Sequence, residues 1–300
     1  MEIIITNSQM DGCFVMSARA VMALSGGMDS TSLLLRLLRE EYIVTCISYR
    51  YGQKHGYWAE WHNNGLLSTE GSYADGKEDG TWTTWYRNGQ KEKVLNYNEG
   101  WWNGKSQKWY LNGQMMEDLI YKDQIPVGKW KFWFENGQLK EERNYNNGVP
   151  SGSWTQYYSN GFMKQKTNYS AGQEDGIWVF WYDNGQKKEE KNFINGKKDG
   201  KWESWYADGT KKEERHYLND LKSGTWKEWY ELQPREERRY VNGKLNGKRR
   251  KWYSSGKLKE EGSYIDGKEN GRWTYYLEDG TIETSYDIKG NFLSRINVDE

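Results

Sequence analysis

Aromatic and polar residues recur along most of this chain with a period of 24 residues. A glycine opens each period, a tryptophan usually follows two residues later, and another aromatic residue follows three residues after that. Ser106 and Arg249 interrupt the first aromatic column. A fixed period of this length predicts tandem structural repeats. The ten opening glycines are Gly56, Gly80, Gly104, Gly128, Gly152, Gly176, Gly200, Gly224, Gly247 and Gly271.

Each period has the features of a β-hairpin. Strand-forming residues precede an Asn-Gly or Asp-Gly pair, and a charged segment that ends in an aromatic residue follows it. We predict type I′ turns at these pairs, for example at Asn88-Gly89, Asn184-Gly185 and Asp208-Gly209. A second turn, such as the one at Asn195-Gly196, returns the chain to the next period.

A single hairpin is marginally stable in water, so neighbouring hairpins must stack. The sequence therefore predicts a mainly β fold: an elongated single-layer antiparallel meander of about ten stacked β-hairpin repeats, with a small N-terminal β-α-β unit.

Strand parity places the aromatic residues on both faces of the sheet. Trp202 and Tyr206 share one face, whereas Trp205 points to the other. These rings serve as the core of a single-layer sheet; the alternative is that one row is exposed as a platform for a protein, lipid or sugar. The run from Lys187 to Glu190 predicts solvated cross-strand ion pairs that protect the sheet from aggregation.

Composition narrows the classes of function. Aromatic residues make up 16% of the chain, with 18 Trp and 23 Tyr, and supply apolar area in an otherwise polar sequence. The 43 basic and 43 acidic residues cancel, which argues against a general nucleic-acid binder. The first residues do not resemble a signal peptide and no apolar stretch is long enough to span a bilayer, so we expect a cytoplasmic protein.

The first fifty residues follow a different pattern. Residues 20–24 predict a buried strand, residues 31–40 a helix, and residues 43–49 a second strand. A glycine-rich turn, Ser25-Gly26-Gly27-Met28-Asp29-Ser30, lies at the predicted helix N-terminus. Backbone N–H groups and the helix dipole at such a position favour a phosphate group.

The repeat unit itself resembles a known family. Gly-x-Trp-x-x-Trp-Tyr-x-x-Gly, with its Asn-Gly-Lys-x-x-Gly return, resembles the MORN-type repeat, particularly that of the bacterial YwqK-family antitoxins, over residues 51–287. The resemblance implies a non-catalytic role in association with a protein or a membrane surface, and an antitoxin role for the bacterial variant.

The N-terminal turn resembles a second family. Ser25 to Ser30 after an apolar strand is similar to the PP-loop of ATP pyrophosphatases, and with residues 51–55 it resembles the start of 7-cyano-7-deazaguanine synthase. That family makes the nitrile of a queuosine precursor from 7-carboxy-7-deazaguanine, ammonia and ATP, with a bound zinc. The resemblance implies that the ATP phosphates, with Mg²⁺, would be held by Ser25, Gly26, Gly27, Asp29 and Ser30.

This resemblance covers about 36 residues, and the rest of that family's pattern is not found. The family carries a C-terminal cysteine cluster for zinc, whereas this chain has Cys13 and Cys46 near its start and three scattered histidines. A zinc site is therefore not expected. We predict no catalytic or metal-binding residues, and a small-molecule substrate only if the PP-loop is active.

The sequence thus predicts three segments: a PP-loop-like fragment at 1–50, ten hairpin repeats at 51–287 and a tail at 288–300. Gly52 to Trp58 satisfies both patterns, which suggests a fusion through this string, with the first segment acting as a cap or retaining ATP binding. The predicted function is a non-catalytic scaffold for an unknown protein partner or a membrane surface. The alternative is an ATP-binding ligase similar to 7-cyano-7-deazaguanine synthase.

Overall fold

A computed structural model describes residues 13–17, 20–24, 44–50, 53–289 and 292–296, with side chains over residues 53–288. These residues contain strands and turns and no helix, so none of them forms a helix that could cross a membrane. The chain divides into two compact units, Met1–Val149 and Pro150–Glu300.

The first unit is an antiparallel meander. From β3 to β9 each strand pairs with the strand that follows it. β9 pairs with both β10 and β11, which are two parts of one strand separated by Val127, and β11 pairs with β12. Its strands are β1 (Cys13–Ser17), β2 (Ala20–Leu24), β3 (Val44–Arg50), β4 (Gln53–Trp61), β5 (Leu67–Ala74), β6 (Lys77–Trp85), β7 (Lys91–Asn98), β8 (Trp101–Trp109), β9 (Met115–Lys122), β10 (Ile125–Pro126), β11 (Gly128–Trp133) and β12 (Leu139–Asn146).

The second unit repeats the same arrangement. A short strand, β13 (Val149–Pro150), lies at the division between the units. The mainly β antiparallel meander predicted from the repeats is confirmed in each unit. The strands of the second unit are β14 (Gly152–Tyr157), β15 (Met163–Ser170), β16 (Gln173–Glu174), β17 (Gly176–Trp181), β18 (Lys187–Ile194), β19 (Lys197–Lys198), β20 (Gly200–Trp205), β21 (Lys211–Leu218), β22 (Leu221–Tyr230), β23 (Gln233–Val241), β24 (Lys244–Trp252), β25 (Leu258–Ile265), β26 (Lys268–Tyr276), β27 (Ile282–Lys289) and β28 (Phe292–Ile296).

The prediction of type I′ turns at the hairpin tips is wrong. At the tip of the second repeat Gly89 has a positive φ and Asn88 does not. The N–H of Gly89 donates to the Tyr86 carbonyl at 2.9 Å, and the N–H of Tyr86 donates to the Gln90 carbonyl at 2.8 Å. This is a three-residue loop in which a type I turn precedes a left-handed glycine.

The turns that return the chain to the next repeat have the type I′ signature instead. Asn195 (φ 50°) and Gly196 (φ 76°) both lie in the left-handed region. Two consecutive left-handed residues match the twist of the flanking strands, which explains a two-residue connection at this edge of the sheet. Gln124 (φ 65°) and Asp220 (φ 68°) occupy the second position in two repeats where most others have glycine.

The predicted N-terminal β-α-β unit lies only partly within the described residues. β2 and β3 correspond to the two predicted strands, but an additional strand, β1, pairs antiparallel with both of them. β3 pairs in turn with β4 of the first repeat, so this segment is hydrogen-bonded to the repeats. The predicted helix at 31–40 lies outside the described residues.

The core is a ladder of aromatic rings on one sheet face, which we call the ladder face. In the seventh repeat the Trp202 ring lies between Phe193 and Tyr217, with ring centroids 5.2 and 5.0 Å away. The Trp202 indole N–H donates to the Asn192 carbonyl at 2.9 Å. Trp202 therefore buries its apolar surface against two rings while its polar edge stays paired. Trp82, Trp130, Trp178 and Trp226 make the same indole hydrogen bond, whereas the buried indole nitrogens of Trp58 and Trp273 have no partner within residues 53–288.

The Ser106 break in this ladder is compensated locally. Ser106 is buried and pairs across the sheet with Leu119, which is also buried. Trp102, two residues before the opening glycine, supplies a ring 5.2 Å from Tyr121. Tyr121 then contacts Trp130 of the next repeat at 4.9 Å. The aromatic row thus continues past the missing tryptophan.

Candidate interaction surface

The residues predicted to hold ATP, Ser25, Gly26, Gly27, Asp29 and Ser30, all lie outside the described residues. Their predicted role stays a prediction. Within residues 53–288, no cluster of three or more His, Cys, Asp or Glu side chains could hold a metal ion.

The second sheet face, which we call the outer face, carries the other aromatic row. Cross-strand partners share a face in an antiparallel sheet. In the seventh repeat, Lys201, Glu203 and Trp205 alternate along β20, opposite His216, Glu214 and Lys211 respectively. Trp202 and Ser204 point to the ladder face. Two aromatic rows on opposite faces were predicted from strand parity, and the pairing agrees with that prediction.

The outer-face rings are half-buried at every repeat. They recur every second strand, a separation of about 10 Å at the usual strand spacing. In the first unit they are Trp61, Trp85, Trp109 and Trp133, and in the second Tyr157, Trp181, Trp205, Trp229, Trp252 and Tyr276.

Lysine side chains approach these rings. The Nζ of Lys187 lies 5.1 Å from the Trp205 ring centroid, and the Nζ of Lys211 lies 5.6 Å from that of Trp229. A shallow depression of about 240 Å³ beside Trp205 is lined by Gln186, Lys187 and Gly209. Trp205 thus lies beside both a cation and a hairpin tip.

A closed charge cluster surrounds Trp205 on the outer face. Nζ of Lys211 lies 2.7 Å from Glu203 and 2.8 Å from Glu214, and Nζ of Lys201 lies 2.7 Å from Glu203 and 3.4 Å from Glu214. Burial acts to raise the pKa of Glu203 and of Glu214, but their lysine hydrogen bonds outweigh it, and both carboxyl pKa values are lowered. The hydrogen bond to Glu203 raises the pKa of Lys201.

The predicted charge runs do form ion pairs. Lys187 pairs with Glu190 and Lys191 with Glu189, each at 2.6 Å, within the same strand. Pairs across strands, such as Lys211 with Glu203, also occur. The prediction of cross-strand pairing was therefore incomplete. Lys191 and Glu189 share a face because they alternate along one strand, and Lys187 and Glu190 share a face because a β-bulge at Lys188 shifts the register.

Arg249 replaces the ladder tryptophan in the ninth repeat and forms a half-buried ion-pair network. Its Nε lies 2.9 Å from Glu236, and its Nη1 lies 2.7 Å from Glu260, which is buried. Burial acts to lower the pKa of Arg249, but the hydrogen bond to Glu236 and the charge of Glu260 raise it. Arg238 pairs with Glu228 and extends the network along the face. Only the break in the tryptophan column marked this site in the sequence.

Tyrosine hydroxyls connect successive hairpin tips. The hydroxyl of Tyr182 donates to the Trp205 carbonyl at 2.9 Å, and Nδ2 of Asn184 donates to the Ala207 carbonyl at 2.8 Å. This connection was not predicted from the sequence, although its signal is the tyrosine that follows most outer-face rings. The same tyrosine bond occurs at Tyr86, Tyr110, Tyr158, Tyr206 and Tyr253.

Comparison with family models agrees with the geometry of these hairpins. Six segments, residues 78–99, 102–123, 126–147, 174–195, 198–219 and 245–266, match the MORN repeat variant. This chain carries MORN-type repeats. The described hairpins continue beyond the matched segments with the same ladder and the same turns, for example in the hairpin of β4 and β5.

The N-terminal segment is similar to a different family. Residues 19–65 match the queuosine biosynthesis protein QueC. A 7-cyano-7-deazaguanine synthase from Caldicellulosiruptor bescii is 60% identical over 37 residues, which are 12% of this chain and 17% of that enzyme. The chain therefore spans about a sixth of the curated relative's length, and it is a composite of MORN-type repeats and a short synthase-like fragment.

Solved structures give a weaker likeness. Crystal structures of TcdB2-TccC3-Cdc42 and of TcdB2-TccC3 each share 11% identity with this chain, with TM-scores of 0.15 and 0.13. The alignments cover 93% and 90% of this chain and 18% of each matched chain.

Proposed function

We propose that the MORN-type repeats form a non-catalytic scaffold that binds a protein partner through the outer face. The ladder face supplies the ring packing that holds the repeats together. Within residues 53–288, neither Trp205 nor Trp229 stacks on another aromatic ring, and both remain half-buried. Tryptophan is among the residues most enriched in the small set of side chains that contribute most of the binding energy at protein–protein interfaces.

The single observation that carries this proposal is the different packing of the two tryptophans of one strand, of which one is part of the core and the other is not. Trp202 donates its indole N–H to a backbone carbonyl and packs between two rings. Trp205, three residues away on the opposite face, is framed by a shallow open depression. A row of such rings offers a partner apolar contact at regular intervals, with paired charges beside it.

Lysine acetylation of the full chain, alone and with a captured partner, tests this proposal. Lys201 and Lys211 lie on the outer face, whereas Lys191 lies on the ladder face, where its Nζ is 5.4 Å from the Trp202 ring. A partner on the outer face will protect the first two lysines and leave Lys191 reactive. Protection of Lys191 alone, or a chain that binds no protein saturably, would contradict the proposal.

An antitoxin role is the narrower form of the same proposal. It requires that the bound partner be a toxic protein whose activity the chain suppresses. Co-expression of a captured partner with and without this chain tests it. Growth arrest that the chain relieves supports the role, and a harmless partner excludes it.

Retained nucleotide binding is the second candidate function. The 60% identity over 37 residues favours it, because the family match at 19–65 includes the whole Ser25 to Ser30 string. Titration of the full chain with Mg-ATP, with Asp29→Ala as the control variant, tests it. Binding heat that disappears in the variant supports nucleotide binding, and its absence at millimolar ATP excludes it. Formation of AMP with 7-carboxy-7-deazaguanine and ammonia would then test the ligase reaction.

A further inference from the structure

The segment that joins the eighth and ninth repeats carries an excess of positive charge. Between residues 235 and 251 the chain has eight Lys or Arg residues and two Glu residues. β23 and β24 form a hairpin-like pair in this segment. Part of the charge is neutralised on the ladder face, where Arg238 and Arg249 pair with glutamates. Within residues 53–288, most cations on the outer face of the same strands have no such carboxylate partner.

Four cations lie on this outer face. Lys227 opposes Glu237, and Arg239 opposes Thr225, so all four of these residues share the face of Trp229. Lys248 and Arg250 alternate with Trp252 along β24 and oppose Ser263 and Glu261. We define the basic patch as Lys227, Arg239, Lys248 and Arg250 together with Trp229 and Trp252.

The cations of the basic patch are mostly uncompensated. Arg250 approaches Glu261 at 3.4 Å. Within residues 53–288, Lys227, Arg239 and Lys248 have no carboxylate within ion-pair distance. The cluster around Trp205 shows the contrast, because both of its lysines contact two glutamates there.

Arg239 occupies a position that is asparagine in several other repeats. In other repeats this position is Asn96 or Asn168, whose side-chain amide donates to a backbone carbonyl of the next strand. Arg239 instead lies across Gly247, with its Cδ 3.2 Å from the place a Cβ would occupy there, and it is exposed. The substitution exchanges a structural hydrogen bond for a guanidinium on the surface.

We propose that the basic patch is the docking site for an acidic segment of a protein partner. This inference rests on the proposed function, since it names the partner's chemistry at one part of the outer face. Carboxylates of the partner would pair with Arg239 and Lys248, while apolar side chains of the partner contact the half-buried rings of Trp229 and Trp252.

Two features favour a protein segment over a nucleic acid. Glu237 and Glu261 stand within the patch, and they repel a backbone that carries a charge at every phosphate. A peptide can place neutral residues opposite those two glutamates. The zero net charge of the whole chain also gives no long-range attraction for a polyanion.

Selection of short random peptides displayed against the full chain tests the proposal. Enriched peptides should carry clustered Asp or Glu beside apolar residues, and the affinity of a synthetic copy should fall as salt is raised. The double variant Arg239→Gln/Lys248→Gln should bind that copy at least tenfold more weakly. The matched control is Lys105→Gln/Lys129→Gln, which removes the same charge from the outer face of the first unit, at two positions that correspond to Lys248, and should leave the affinity within twofold.

The outcomes separate the two proposals. Acidic peptides that bind the wild type and the double variant equally would overturn the basic patch, whereas the scaffold function would stand. Enrichment of peptides without acidic residues would also overturn it. Tighter binding of a single-stranded oligodeoxythymidylate than of any selected peptide, lost in the same double variant, would assign the patch to nucleic acid. A chain that enriches no peptide contradicts both proposals.

Discussion

Gly262 lies directly beneath the indole ring of Trp273. A Cβ built on Gly262 would fall 2.2 Å from Cδ2 of that ring, and Gly71 stands in the same relation to Trp82 at 2.1 Å. Trp273 is fully buried, so its ring has no room to withdraw. Neither glycine has a positive φ, which means that the space and not the backbone conformation requires glycine here.

Substitution Gly262→Ala should therefore destabilise the protein by about 1–3 kcal/mol, the usual cost of overpacking. Urea denaturation followed by tryptophan fluorescence measures the change. In a Trp273→Ala background the same substitution should cost far less, because the overlapping ring is gone. Equal costs in the two backgrounds would show that the contact is not responsible.

Gln124 and Asp220 allow a matched test of the return turns. Both residues have positive φ where most repeats have glycine, a conformation that costs an ordinary residue about 1–2 kcal/mol. Gln124→Gly should stabilise the protein by about 0.5–1 kcal/mol, after allowing for the greater chain entropy of glycine. Asp220→Gly should gain less, because Oδ1 of Asp220 accepts a hydrogen bond from the Lys198 N–H at 2.8 Å. A larger gain at Asp220 in thermal unfolding would refute this explanation.

Removal of Arg249 should lower the free energy of unfolding. Arg249→Met removes the cation that buried Glu260 shares with Glu236, and leaves Lys251 at 3.7 Å and Arg238 at 3.6 Å as their remaining partners. Because breaking a buried ion pair costs about 3 kcal/mol when no partner remains, we expect a loss of up to this size. Adding Glu260→Gln to the variant should recover part of the loss, because the remaining group is then neutral. Chemical denaturation of the two variants and of Glu260→Gln alone measures the coupling. A loss below about 1 kcal/mol for Arg249→Met would mean that the network contributes little.

The charge cluster around Trp205 predicts a pH dependence. The lowered pKa values of Glu203 and Glu214 mean that the folded state holds their protons less tightly than the unfolded state. Their contribution to stability is present above the ordinary glutamate pKa of about 4.3 and is lost as the pH falls through the lower folded values.

Lys201 and Lys211 act in the opposite sense. Burial acts to lower the pKa of Lys211, but its hydrogen bonds to Glu203 and Glu214 raise it, and the pKa of Lys201 is raised as well. Their contribution is present below about pH 10.4 and is lost as the pH rises through the folded values. The variant Lys211→Met should flatten the dependence of unfolding free energy on pH below pH 5. If the unfolding free energy of this variant depended on pH below pH 5 as the wild type does, the cluster would be excluded as the source of that dependence.

The strands were predicted well from the sequence because the same pattern of strand-forming residues recurs in ten repeats. The positions of Trp202 and Trp205 on opposite faces follow from strand parity alone. The turn at Asn88-Gly89 was assigned wrongly because Asn-Gly suits both a type I′ turn and a type I turn followed by a left-handed glycine. Only the hydrogen bonds between Tyr86 and its partners distinguish the two.

The ion-pair network was harder to predict for a different reason. Arg249 was visible as a break in the tryptophan column, but its partners Glu236 and Glu260 lie on two neighbouring strands. Their proximity depends on the register between repeats, which the bulges opposite Arg238 and Trp252 adjust locally. The antiparallel strand β1, which lies between β2 and β3, was not predicted because no motif was recognised in its residues.

The outer face is most directly tested by the affinity of a captured protein partner for two matched double variants. Trp205→Ala/Trp229→Ala removes two outer-face rings, whereas Leu111→Ala/Leu232→Ala removes two exposed apolar side chains at hairpin tips, outside the strands. The account predicts at least a tenfold loss of affinity for the first pair and less than a twofold change for the second. Unchanged binding by Trp205→Ala/Trp229→Ala, or a larger loss from Leu111→Ala/Leu232→Ala, would contradict it.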